Sequence, residues 1–166
     1  HPSHRFYEQW NQMSVKEREL QLHDMADLYI KTAQRYHHDA IFVHPNPGDL
    51  ENTRRLLEII REMSGDEYFL MMHGDTTISI PTGDDMMEMS VKMYEDPDSL
   101  HDQQNRWLEK AAKKAQALSG TGLLDGFALC SDYAFNVNPF FSPDMFEELV
   151  APHLKECIDT YRSLGY

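Results

Sequence analysis

Apolar residues at helical spacing alternate along this chain with short unbroken apolar runs, which predicts helices and buried strands in turn. Ser14-Val15-Lys16-Glu17 reads as a capping box opening a helix with the stripe Leu22, Met25, Ala26, Tyr29, Ala33 and Tyr36. Ala40-Ile41-Phe42-Val43 is a buried-strand run, stopped by His44-Pro45-Asn46-Pro47-Gly48, where the prolines and glycine cannot continue a ladder. Leu50, Thr53, Leu57 and Ile60 mark a second helix closed by Ser64-Gly65. Tyr68-Phe69-Leu70-Met71-Met72 is the next strand, followed by His73-Gly74-Asp75-Thr76-Thr77.

A loop with Pro81 leads to Asp84-Asp85, which open a helix carrying Met86, Met87, Met89 and Met93 that breaks at Asp96-Pro97-Asp98. Core packing by adaptable side chains explains those methionines better than a metal or cofactor box. A long helix then runs to about Ser119, and Leu124 to Leu129 is the third strand. The stretch from Cys130 to Phe141 reads as a long loop. Ser142-Pro143-Asp144 supplies an N-cap, a proline in the first turn and an acid for one last helix over 143–164, with Gly165 as its C-cap.

Three continuous apolar strands separated by helices call for a parallel sheet covered on both faces. No GxGxxG or GxxxxGK[ST] follows any strand, so Rossmann and P-loop architectures lose support. The expectation is an α/β chain of the (β/α)8 TIM-barrel class. About 250 residues is typical for that fold, so 166 residues supply roughly its N-terminal half as one partial domain over 1–166. Ending on a helix, before the strand it should deliver, agrees with part of a larger repeated fold.

Composition narrows the partners. A formal charge of −13 argues against nucleic acid or an anionic membrane, and mildly against a heavily anionic substrate. No apolar run approaches membrane-spanning length, and His1-Pro2-Ser3-His4-Arg5 does not open a signal peptide. Cys130 and Cys157, with no CxxC pair, fit a reducing cytoplasm. Of the nine histidines, His23, His37, His38, His101 and His153 read as solvated side chains.

In a barrel, polar groups at the C-terminal strand ends face the site, which selects His44, His73 with Asp75, and Asp132 with Tyr133. His44 is able to ligand a metal or to donate to a substrate carboxylate; a strand-end histidine capped by backbone is an equal reading. His73 has the stronger case, because Gly74 admits a close ligand and Asp75 could orient the ring. Asp132 is either a general base, an acceptor for a substrate nitrogen, or an ordinary turn aspartate. Tyr133 is a packing residue or a substrate contact. Asn136 and Asn138 could read a polar ligand or simply belong to a loop. Cys130 reads as a small core residue. No Ser-His-Asp order, HExxH or zinc-finger spacing occurs.

Several words in order carry a family resemblance. Val91-Lys92-Met93-Tyr94-Glu95-Asp96-Pro97-Asp98-Ser99-Leu100 precedes a long helix, then Leu124-Asp125-Gly126-Phe127-Ala128-Leu129-Cys130-Ser131-Asp132. Phe141-Ser142-Pro143-Asp144-Met145-Phe146, Pro152-His153-Leu154-Lys155 and Gly165 complete it. Together they resemble the uroporphyrinogen decarboxylase superfamily, well over residues 84–166 and loosely over 14–75. The resemblance implies a (β/α)8 barrel with one of two activities: cofactor-free decarboxylation of porphyrinogen acetates, or methyl transfer between a corrinoid protein and a thiol or similar acceptor, often with zinc.

Two departures weaken the decarboxylase branch. That branch has an arginine-rich substrate segment near its start, and nothing like it surrounds Arg5; His44-Pro45 stands where it has a pyrrole-binding aspartate. The methyltransferase branch looks closer. Its zinc ligands would lie after Tyr166, so no metal ligand carries over onto this chain. The implied partners are a corrinoid protein and a small-molecule acceptor. By their positions at and after the strand ends, not by a matching motif, His44, His73 and Asp132 would line the catalytic mouth, with Asp75, Tyr133, Asn136 and Asn138 as substrate contacts. The alternatives are a uroporphyrinogen decarboxylase proper or a non-catalytic ligand-binding barrel.

Overall fold

The computed structural model describes residues 9–45, 48–83 and 85–166. Asn46 and Pro47 of the first expected turn, Asp84 as a helix opener, and the His1-to-Arg5 segment lie outside the described residues. The elements run α1 (Val15–Tyr36), β1 (Ala40–Phe42), α2 (Leu50–Ser64), β2 (Phe69–His73), α3 (Asp85–Glu95), α4 (Pro97–Leu118), β3 (Gly126–Ala128), α5 (Pro143–Leu149) and α6 (Ala151–Ser163).

Local chemistry explains most of the helix starts. Ser14 and Glu17 form the reciprocal capping box. Asp49, Asp96 and Ser142 each accept an N–H from the first turn of α2, α4 and α5, and prolines near the starts of α4 and α5 give up no needed donor. At the end of α1, His37 adopts φ 56°, a left-handed conformation that lets its N–H reach back to the last carbonyls.

The strands form one three-stranded sheet in the order β1-β2-β3. β1 and β2 are parallel, with Ala40 opposite Phe69 and Phe42 opposite Met71. Asp125 N–H donates to the Leu70 carbonyl and Gly74 N–H to that of Ala128, so β3 also ascends with β2.

The expected barrel, and with it the half-barrel, is not what forms. The sheet has three strands and is open, whereas eight strands must close to make a barrel. Asp96-Pro97 ends one helix and caps another where the sequence places the break, so α3 and α4 both follow β2. The expected single helix over 143–164, by contrast, is two. Pro152 lacks an N–H and clashes with the turn before it, so the chain breaks at Val150 between α5 and α6. The third strand spans only Gly126–Ala128 of the expected 124–129.

The chain divides into two compact units, His1–His73 with Gly120–Gly126, and Gly74–Ser119 with Phe127–Tyr166. In the first, α1 packs on α2 and buries Leu22, Ala26, Ile30 and Ala33 together with Leu56, Leu57, Ile59 and Ile60. Arg61 donates to the carbonyls of Gly65 and Tyr68 and to Asp125, whose carboxylate also takes the Leu70 N–H at 2.6 Å. That carboxylate ties the end of α2 to the β2 backbone.

In the second unit, Ile78, Met93, Leu100, Phe141, Leu149 and Val150 make one core cluster. Leu108, Ala115, Cys157 and Tyr161 make another, with Phe127 stacked on Tyr161 at 4.2 Å. The methionine helix meets the expectation of core packing in part: Met93 is buried in the first of these clusters and Met89 packs against it, whereas Met87 is 75% exposed. Cys130, expected inside, is exposed, and Cys157 is the buried thiol.

His153 is the other inversion. It is buried rather than solvated, and its Nε2 lies 2.7 Å from His101 Nδ1. Such a pair shares a single proton, and His153 Nδ1 is buried with no partner. Burial first and His101 second hold the His153 pKa below the ordinary histidine value, with Glu156 opposing. The unfolded chain therefore takes up this proton before the folded one does. Stability is expected to fall as pH drops below about 6.5, the unfolded value, toward the lower folded pKa. Thermal melts between about pH 7 and pH 5 check this, with His153→Phe flattening the dependence. An unchanged melting temperature across that window contradicts it.

Candidate functional site

The first unit holds His44 and His73. In the β1-β2 register each stands two residues beyond the paired Phe42 and Met71, at neighbouring strand ends, and both are exposed. The Tyr29 phenol fixes the His44 backbone. It accepts the His44 N–H at 2.9 Å and donates to the His44 carbonyl at 3.3 Å. The ring rests on Phe42, with centroids 4.4 Å apart. Lost hydration, and then the nearby His73, lower the His44 pKa and favour a neutral ring.

The other site residues expected from sequence fall in the second unit, where they separate by role. Asp75 is consumed by the protein. Its Oδ1 accepts the Thr77 N–H at 2.9 Å and the Thr77 hydroxyl at 2.6 Å, and its Oδ2 accepts the Ser131 N–H at 3.1 Å. Because a carboxylate only accepts, Thr77 must give Asp75 its proton, so the Tyr133 hydroxyl at 2.6 Å donates to Thr77. The Tyr133 ring packs edge-on against Phe146 and Phe141. Burial raises the Tyr133 pKa above the usual phenol value. Asp75 thus anchors the Ser131 backbone, and Tyr133 completes the chain of hydrogen bonds through Thr77.

The stretch after β3, expected as a long loop, is a small hairpin. Phe140 N–H donates to Tyr133 O, Ala134 bridges Pro139, and Phe135 N–H donates to Asn138 O at 2.8 Å. Asn138 therefore serves through its main chain, closing the turn. Asn136 sits at the tip beside Val137.

Between this hairpin and the segment after β2 lies an open cleft of about 570 Å³, within the range of small-ligand sites. Ile80, Pro81, Thr82, Gly83 and Met86 form one wall, and Asp132, Ala134, Phe135, Asn136 and Val137 the other. Ile80 N–H donates to Asp132 O at 2.8 Å, which ties the walls together at the base of the hairpin. The Asp132 carboxylate is exposed and takes no hydrogen bond or ion pair from any described residue. Of the expected site residues, Asp132 and Asn136 line this cleft. The sequence reading missed Ile80, Met86 and Phe135, for which only proximity in the fold gives a signal.

Among the described residues no group of three or more His, Cys, Asp or Glu could hold a metal ion, so zinc finds no fitting ligand set here. No described helix is long and apolar enough to cross a membrane. No family model matches the chain, and neither a curated protein nor a solved structure matches it.

Proposed function

We propose that this chain supplies the substrate cleft of a cytoplasmic enzyme related in chemistry to uroporphyrinogen decarboxylase. The reaction is methyl transfer between a corrinoid protein and a small thiol or similar acceptor. The observation that carries the reading is the unpartnered Asp132 carboxylate on the wall of a cleft sized for a small molecule. The order of the sequence words from Tyr94-Glu95-Asp96-Pro97 through Asp132 to Ser142-Pro143 supports the choice of family.

In this reading Asp132 accepts a hydrogen bond from the acceptor molecule and orients it. Asp75, Thr77 and Ser131 hold the backbone from which Asp132 projects. Methyl transfer is preferred to decarboxylation because no described lining residue is basic, leaving a carboxylate-rich porphyrinogen nothing to pair with.

Calorimetric titration with small thiols, and separately with uroporphyrinogen, tests the proposal. A saturable thiol isotherm that weakens about tenfold or more in Asp132→Ala is the expected result. Tight uroporphyrinogen binding with no thiol binding would assign the cleft to decarboxylation instead.

A further inference from the structure

Resting on the reading of this cleft as a substrate site, we infer that its ligand carries a cationic nitrogen on a small apolar body. Asp132 is the one ionisable side chain among the described lining residues. The remaining walls are the aliphatic Ile80, Pro81 and Val137, the Met86 thioether and the Phe135 ring. Thr82 and Asn136 add neutral polar groups at the rim.

Each class of ligand meets this lining differently. An anion would face the Asp132 carboxylate with no cation to offset the repulsion. A neutral apolar body would strip water from that carboxylate and return no hydrogen bond, which disfavours it. An ammonium group satisfies the carboxylate as a charge-assisted partner, and its methyl or methylene groups lie against the apolar walls. Phe135 lines the same cleft and is 41% exposed, and aromatic rings attract such cations. The net charge of −13 draws cations toward the surface at long range. The substrate class is therefore a small organic ammonium compound, primary to quaternary, such as an amino thiol.

Choline and the neutral dimethylbutanol in which carbon replaces the nitrogen have nearly the same shape, so titrating the 166-residue chain with each isolates the charge. The inference predicts that choline binds about tenfold tighter at low salt, that Asp132→Asn removes this advantage, and that Phe135→Leu weakens choline alone. Asp132 is exposed, so circular dichroism of Asp132→Asn should match the parent. Equal binding of both probes, indifferent to Asp132→Asn, would overturn the cation inference and leave a cleft for neutral ligands. No binding of either probe or of any small thiol would overturn both this inference and the reading of the cleft on which it rests.

Discussion

Gln104→Leu is expected to destabilise the chain by about 3 kcal/mol, although the new side chain fills nearly the same space. Gln104 is fully buried in α4 and has every polar atom engaged. Its Oε1 accepts the Ile78 N–H at 3.0 Å, and its Nε2 donates to Leu149 O at 2.9 Å and to Leu100 O at 3.3 Å. Leucine would leave the Ile78 donor and the Leu149 acceptor unpaired in the core, at about 1–3 kcal/mol each. No cavity opens, so the loss reports the polar groups alone. Urea unfolding should show a lower midpoint with an unchanged slope. A loss under about 1 kcal/mol would mean that water or a local shift satisfies both groups.

Gly74→Ala should cost about as much, for a steric reason. A Cβ at Gly74 would stand 2.6 Å from Phe127 Cβ and 2.9 Å from its ring. The ring cannot slide away, because it is stacked on Tyr161 at 4.2 Å and set edge-on to Tyr166 at 4.9 Å. The Gly74 backbone is equally fixed: its carbonyl accepts the Tyr161 hydroxyl at 2.7 Å and the Cys157 thiol at 3.3 Å. Overpacking of this kind costs about 1–3 kcal/mol or more. Gly126→Ala is the control. Its Cβ meets only the far edge of the half-exposed Phe69 ring at 3.1 Å, so the ring can yield. Thermal melts of the two variants should differ by several degrees. Equal melting temperatures would show that Phe127 moves freely.

Features determined within a few residues were legible in the sequence. The Ser14–Glu17 box, the Ser142 cap and the α3/α4 break at Asp96-Pro97 are local hydrogen-bonding and steric events, and each forms where its residues stand. Strand number and sheet closure depend on residues far apart, and the barrel expectation failed there. Pro152 was visible, but a proline near a helix start and one that splits a helix look alike until the neighbouring packing is known.

Site residues were harder for a different reason. A polar residue after a strand has the same appearance whether the protein or a ligand uses it. Asp75 and Tyr133 turned inward to Thr77, while Asp132, a residue before Tyr133, stayed free. The hairpin that carries Asp132 was missed because its tip, Phe135-Asn136-Val137-Asn138, lacks the glycine that usually marks a tight turn. His153 was missed because its burial comes from packing beside His101 across 52 residues of chain.

The most direct measurement is a backbone-amide NMR titration with a small amino thiol. The account predicts saturable shifts confined to Ile80, Thr82, Gly83 and Ala134 through Val137, all abolished by Asp132→Ala while the spectrum otherwise stays folded. Shifts centred on His44 and His73 with the cleft amides unmoved would contradict it, and would put the chemistry at the ends of β1 and β2.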